Sequence, residues 1–185
     1  MSISTRERLV EGMAVVLNLL FTFFYLRSNP VCFVFGVVAP VVLAWPCLKQ
    51  RLYGQVMLQG FYVGVAVYGY LNFGGEWRVE HRSLIYHIIW IGLGIVGSLS
   101  MGYWLKRKTR SSWSYVDAAV TIFSMIGTWQ MMNFIHENWL YLIAVNAVSV
   151  VLYSWRRLWL AAAMFVLYLV MSVDGYVESI TWFGS

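Results

Sequence analysis

The chain has 185 residues, of which 61% are hydrophobic and only 11% are charged, and its mean hydropathy is +0.68. This balance excludes an ordinary soluble domain, in which about 25% of residues are charged, and indicates an integral membrane protein. The formal net charge of +5 comes from thirteen Lys and Arg residues confined to short segments. We assign it to contact with anionic lipid headgroups and expect no nucleic-acid partner.

Seven apolar stretches lie between the charged segments, each close to the ~20 residues that a helix needs to cross a bilayer core of ~30 Å. Continuous apolar runs favour helices over the alternating strands of a barrel, because backbone in lipid must satisfy its own hydrogen bonds. We therefore predict an all-α integral membrane protein with seven transmembrane helices. In chain order, the predicted spans are Leu9–Leu26, Val31–Leu48, Leu52–Phe73, Leu84–Leu105, Trp113–Phe134, Trp139–Trp155 and Leu158–Gly175.

The Lys and Arg residues are divided unequally between the two sides of these spans. Ten lie on the side of the N-terminus and three, Arg27, Arg78 and Arg82, lie on the other side. Because basic residues concentrate in cytoplasmic loops, we predict a cytoplasmic N-terminus. With an odd number of spans, the C-terminus is then outside.

The sequence resembles itself at an ungapped offset of 106 residues. "RLYGQVMLQGFYVGVAVYGY", from Arg51, lies over "RLWLAAAMFVLYLVMSVDGY", from Arg157, and the same offset pairs Phe33 with Trp139. We interpret this as an internal duplication. Two three-helix units separated by one helix point the same way through the membrane, which is the 3+1+3 arrangement of parallel repeats in SWEET-like transporters. The predicted parts are a first repeat in 1–75, a linker transmembrane helix in 76–112 and a second repeat in 113–185.

The run "ENWLYLIAVN" places Trp139 and Asn146 seven residues apart in an apolar segment. Seven residues are two helical turns, so the two side chains share one face of a helix. An amide inside a helical bundle either joins helices by a hydrogen bond or contacts a substrate. At the repeat offset Asn146 matches Pro40, which would allow the equivalent helix to bend.

The stretch "DAAVTIFSMIGTWQMMNFIHENWLYLIAVNAVSVVLY", from Asp117 to Tyr153, resembles the PnuC family of bacterial vitamin transporters. Members of that family carry an Asp-Ala start, a Gly-Thr-Trp centre, an Asn-Trp turn and a WxxWxxxN motif. "VYGYLNF", from Val67 to Phe73, is similar to the family's aromatic-glycine-aromatic segment. The resemblance implies facilitated diffusion of a vitamin or its nucleoside across the bacterial inner membrane, without energy input. It also implies a cytoplasmic kinase that traps the product by phosphorylation.

Matched to the family motif, Trp139 and Asn146 are its first and last residues, whereas Leu142 replaces its second tryptophan. The missing ring argues against the standard nicotinamide riboside pocket. The expected substrate is therefore thiamine, as in the thiamine-type branch of the family, and nicotinamide riboside is the alternative. Both are cationic aromatic compounds that suit Trp and Tyr faces. Further expected substrate contacts are Trp129, Gln130, Tyr68 and Asn72.

Two other classes of protein are weighed against a transporter. A membrane enzyme would need converging catalytic groups, and the three His and two Cys residues show no nucleophile, base or metal-ligand spacing. A structural membrane protein would need neither the repeat nor an amide facing Trp139. We expect transport without catalysis, cofactor or metal, with the vitamin, the lipid bilayer, the kinase and, in a homo-oligomer, further copies of the chain as partners. Asp117 and the matching Glu11 are interpreted as helix-end charges rather than proton carriers.

Overall fold

A computed structural model describes residues 5–49, 53–108, 113–155 and 159–181. These ranges form seven α-helices, and the only strand-like pairing within them is one isolated bridge, between Glu80 and Ile135. The all-α, seven-helix prediction is therefore confirmed. The helices are α1 (Thr5–Leu26), α2 (Cys32–Lys49), α3 (Tyr53–Phe73), α4 (Leu84–Lys108), α5 (Ser114–Met132), α6 (Asn138–Trp155) and α7 (Trp159–Thr181).

The helices differ in how apolar they are. By length and composition, three helices carry stretches within the described residues that are able to cross a membrane, namely Val56–Phe73 in α3, Leu84–Arg107 in α4 and Asn138–Trp155 in α6. Shorter apolar stretches occupy Gly12–Leu26, Cys32–Trp45 and Ala162–Val177. α5 belongs to neither group because it carries Asp117, Gln130 and several hydroxyl side chains. Polar residues in a membrane helix tend to face the interior of a bundle, so α5 is expected to contribute residues to a binding site.

Several helices end at residues other than those of the predicted spans, and two of these ends have local reasons. α5 ends at Met132 instead of Phe134, because Phe134 adopts a φ of +55°, in the left-handed region that terminates a helix. α7 continues past the predicted end at Gly175 to Thr181. Gly175 is buried in the helix, and an isolated glycine does not stop a helix that is held by packing.

The first unit runs to Arg78 and contains α1, α2 and α3, with α2 packed against both of the others. The turn between α1 and α2 reverses at Ser28, whose φ is +50°, and is closed by the Asn29 side chain, which accepts the Val31 N–H at 3.0 Å. α3 is followed by Gly74 and Gly75 at φ +59° and +89°. Glycine is favoured at such positions because it has no Cβ to clash.

Aromatic rings close one end of the first unit. Trp77 lies parallel to Phe33 with the ring centroids 6.0 Å apart, and it contacts Phe73 at 5.0 Å and Tyr25 at 5.3 Å. Phe33 is only 3% exposed. The residue that the sequence offset pairs with Trp139 is therefore a packed ring in the core of its own unit.

The second unit begins at Val79 and contains α4 to α7. α5 packs against α4 and α6, and α6 packs against α7. α4 approaches α5 closely at Gly94, where a β-carbon would lie 2.7 Å from the Phe123 ring. Small residues of this kind let membrane helices pack backbone to side chain.

Asp117 lies in the first turn of α5, where a helix favours a carboxylate. The Glu11 side chain lies outside the described part of α1.

Candidate substrate site

Trp139 and Asn146 are both buried on α6, at 5% and 8% exposure. The helical conformation from Asn138 onwards places them on one face, as the spacing predicts. The Asn146 amide donates from Nδ2 to the Ser172 Oγ at 3.1 Å, and Ser172 donates in turn to the Tyr168 carbonyl at 2.7 Å. Asn146 therefore joins α6 to α7. This bond uses one of the two N–H groups of the amide, so an interhelical role and a substrate role are compatible.

Gln130 is the most enclosed polar side chain of α5, with 0% exposure. Neither its Nε2 nor its Oε1 has a hydrogen-bond partner among the described residues. The Tyr141 hydroxyl of α6 lies near the amide without completing a hydrogen bond. A buried polar group left unsatisfied costs about 1–3 kcal/mol, so its presence needs an explanation.

Trp129 precedes Gln130 and is half-buried. Its backbone carbonyl accepts the Asn133 Nδ2 at 2.8 Å, which fixes the last turn of α5. Trp129 and Gln130 therefore belong to a turn whose geometry is set by a side-chain cap.

Leu142 packs against α5. A β-carbon placed at Gly127 would lie 3.0 Å from the Leu142 Cδ2, so the leucine fills the space above the glycine. The residue type at this position is explained by helix packing.

In the first unit, Tyr68 and Asn72 lie four residues apart on one face of α3, and both are exposed.

A polar cluster that the sequence did not predict lies where α4 and α6 begin. We call it the Glu137 cluster; it consists of Glu137, His81, His87 and Tyr141. The Glu137 carboxylate lies 2.9 Å from the His81 Nδ1 and 3.6 Å from the His87 Nε2, and it accepts the Arg82 backbone N–H at 3.4 Å. The His87 Nδ1 lies 3.1 Å from the Tyr141 hydroxyl. The run "HENW" places a histidine and a glutamate directly before Trp139, and this was the signal available in the sequence.

The loop before α6 is held by the segment before α4. The Glu80 N–H donates to the Phe134 carbonyl and the His136 N–H donates to the Glu80 carbonyl, both at 2.9 Å. The His136 ring lies between those of His81 and Tyr176, with centroids 4.8 and 4.9 Å away. The start of α6, and with it Trp139, is therefore anchored on two sides.

The sequence model of the nicotinamide mononucleotide transporter family matches residues 8–183 of the chain. The chain belongs to this family. A solved structure, "Crystal structure of the Vitamin B3 transporter PnuC", has the same fold, with a TM-score of 0.72 and 20% sequence identity over 94% of this chain and 81% of that one. Among curated proteins, no match is found. The family resemblance predicted from Asp117–Tyr153 is confirmed, and the chain is a membrane transporter and not an enzyme.

Two ionisable groups of this member of the nicotinamide mononucleotide transporter family, His136 and Glu137, lie in the segment just before α6. Burial is the main cause that lowers the pKa of His136, and the nearby His81 lowers that pKa further. The negative charge of Glu137 raises the pKa of His136, but the net shift is downward. Burial raises the pKa of Glu137, but the hydrogen bonds from His81 and the backbone outweigh burial, so the net pKa is below its usual range. Near neutral pH, His136 is therefore uncharged and Glu137 is an anion.

The second unit of this family member also contains an apolar cavity of about 600 Å³ between α4, α5 and α6. Its α6 lining includes Tyr141, Val145 and Val148. At 100° per residue these positions point about 180–240° away from Trp139. The cavity and the Trp139–Asn146 face therefore lie on opposite sides of α6, and the cavity's apolar lining does not suit the hydroxyl groups of a nucleoside.

Proposed function

We propose that this transporter carries nicotinamide riboside into the cell by facilitated diffusion. The observation that supports the proposal is Gln130, whose fully buried amide has two atoms without a partner among the described residues. A site built to hydrogen-bond a substrate carries such groups, and binding of the substrate recovers their cost. The matched family is one of nicotinamide mononucleotide transporters, and the similar solved structure is that of a vitamin B3 transporter.

The charges of α5 and α6 favour the riboside over the mononucleotide. A phosphate is recognised by Arg or Lys side chains or by a helix N-terminus. Neither α5 nor α6 contains a Lys or Arg residue. Stacking of a pyridinium ring on Trp139 requires no basic residue and is favoured by the cation–π attraction.

The expectation of thiamine is set aside. It rested on Leu142, and that side chain is explained by its contact with Gly127. Because the leucine packs between α5 and α6, the absence of a tryptophan there supplies no argument about the substrate. The names carried by the family and by the similar structure support the nicotinamide riboside alternative instead.

In the proposed site, Trp139 stacks on the nicotinamide ring and Asn146 bonds the amide or ribose groups. Gln130 is a proposed contact from α5, on the side of α6 that carries Tyr141. Trp129 of α5 is a further proposed contact. Tyr68 and Asn72, which belong to the first unit, stay predictions from the sequence. Leu142 contributes shape through the α5–α6 contact.

The proposal includes a setting in the cell. We place the transporter in the inner membrane of a bacterium with the N-terminus in the cytoplasm, as the ten-to-three division of basic residues indicates. A cytoplasmic kinase would trap the riboside by phosphorylation, and the protein would function as a homo-oligomer. A cysteine introduced for Glu76, in the loop after α3, should react with an impermeant thiol reagent from outside the cell.

Calorimetric titration of the purified full-length protein tests the substrate. We expect nicotinamide riboside to bind, and nicotinamide mononucleotide and thiamine to bind at least tenfold more weakly, which corresponds to about 1.4 kcal/mol. Tighter binding of thiamine than of the riboside would overturn the proposal.

A further inference from the structure

The Glu137 cluster joins two helices that otherwise stay apart. α4 and α6 both pack against α5, but no Cα atom in the described part of α4 lies within 8 Å of one in α6. The apolar cavity lies between them, and His87 and Glu137 are among its lining residues. His87 spans the gap, with its Nδ1 3.1 Å from the Tyr141 hydroxyl and its Nε2 3.6 Å from the Glu137 carboxylate.

These two contacts fix how α6 is rotated about its axis. Glu137 and Tyr141 are four residues apart, so one imidazole holds two successive turns of the same helix face. Trp139 lies about 200° around the helix from Tyr141. The rotation that brings Tyr141 to His87 therefore sets the direction in which Trp139 and Asn146 point.

We propose that Glu137 and His87 are positioning residues for the substrate face of α6, and that the protonation of this cluster adjusts the affinity for substrate. The identity of the substrate rests on the proposed function, whereas the tie between α4 and α6 does not depend on it. Neither residue needs to touch the substrate, because both act through the rotation of α6.

Proton binding changes the strength of the tie in a defined direction. With a neutral imidazole, the His87 Nδ1 can accept from the Tyr141 hydroxyl, whereas its Nε2, 3.6 Å from the Glu137 carboxylate, makes no hydrogen bond among the described residues. A protonated imidazole donates from both nitrogens and forms an ion pair with the carboxylate, which is the stronger contact.

Several other ionisable groups surround the carboxylate and belong to the same equilibrium. They come from the segment before α4, from α4 itself, from the loop before α6, from α6 and, through the ring of His136, from α7. These groups are Glu80, His81, Arg82, Tyr86, His87, His136, Tyr141 and Tyr176.

The direct test needs no substrate. The full-length protein is labelled with 5-fluorotryptophan in detergent micelles, and the fluorine signal of Trp139 is identified by its loss in Trp139→Phe. We expect this signal to shift between about pH 5.5 and about pH 8. In Glu137→Gln and His87→Gln the shift should fall at least fourfold.

A control variant isolates the cluster. Glu76→Gln removes a carboxylate that is 76% exposed and paired with Arg78 in the first unit, and it should leave the pH response of Trp139 unchanged. A wild-type signal that does not respond to pH, or a response that is kept in full in Glu137→Gln, would overturn the proposal.

The second readout is the affinity for nicotinamide riboside at the two ends of the same pH range. Glu137→Gln should weaken binding about fivefold and make the dissociation constant independent of pH, and Glu137→Asp should recover part of both. Weaker binding with an unchanged pH dependence would mean a merely structural role and would contradict the proposal. If the wild-type protein does not bind the riboside but its fluorine signal behaves as expected, the proposed substrate is wrong and the positioning role is supported.

Discussion

Replacing Gln130 by Met should make the transporter more stable and less able to bind its substrate. Gln130 has 0% exposure and two amide atoms without partners among the described residues. Methionine has a similar shape and no polar atoms to leave unsatisfied, so the substitution removes a burial cost of about 1–3 kcal/mol. At about 2–4 °C per kcal/mol for a chain of this size, the melting temperature should rise by several degrees.

The same substitution removes the hydrogen bonds that the substrate would make to the amide. The polar groups of the bound riboside would then be left unpaired, at a cost of about 1–3 kcal/mol, which corresponds to roughly 5- to 150-fold weaker binding. Thermal unfolding followed by tryptophan fluorescence measures the first effect, and calorimetric titration measures the second. Gln59→Met, at a buried glutamine of α3 that is 6% exposed, is the matched control for the exchange of side chain.

An opposite pattern would refute the reasoning. If Gln130→Met lowers the melting temperature and leaves the affinity unchanged, the amide stabilises the bundle and has no substrate to bind. The control separates this result from a general effect of methionine, because Gln59→Met should change the affinity less than twofold.

Three further predictions concern residues of α6 and the Glu137 carboxylate just before it. Trp139→Ala and Asn146→Ala should each weaken riboside binding by about 1–3 kcal/mol. Ser172→Ala removes the hydrogen bond between Asn146 and Ser172 at a cost in stability of about 0.6 kcal/mol, and it should leave most of the affinity. Equal losses of affinity in Asn146→Ala and Ser172→Ala would assign Asn146 to helix packing. Leu142→Trp should lower the melting temperature by several degrees without a gain in riboside affinity. The larger ring does not fit the space between α6 and Gly127, at a cost of about 1–3 kcal/mol. A stable variant with tighter binding would contradict this prediction. The pKa of Glu137 is below its usual range. The stabilisation that the Glu137 carboxylate provides is therefore present above the usual pKa of a glutamate and is lost as the pH falls through the lowered pKa. Melting temperatures measured against pH should show this loss in the wild type and not in Glu137→Gln.

The helices could be predicted because each is a long apolar run between charged segments, and hydropathy over such lengths is a strong signal. Their ends could not, because they depend on local hydrogen bonds and conformations such as the left-handed φ of Phe134. The pairing of Trp139 and Asn146 on one face follows from helical periodicity alone. Periodicity could not reveal Ser172 as a partner of Asn146, since the two are 26 residues apart in sequence.

The Glu137 cluster shows the same limit. His81 and Glu137 are 56 residues apart, and their meeting depends on how α5 brings α4 and α6 together. A search of the sequence for metal-ligand or nucleophile spacing passes over such a pair, because neither residue has a motif of its own. Leu142 departs from the family motif, and this departure was interpreted as a change of substrate. The structure shows that the leucine packs against Gly127, a contact that the sequence alone does not reveal.

The most direct test of the central claim is the influx of radiolabelled nicotinamide riboside into sealed liposomes that contain the purified protein. We expect influx down the riboside gradient that saturates, stops when the internal and external concentrations are equal, and stops at the same equality when a proton or sodium gradient is imposed. Protein-free liposomes and liposomes with the Trp139→Ala variant are the controls. Accumulation above the external concentration under an ion gradient, or equal uptake by protein-free liposomes, would contradict the account.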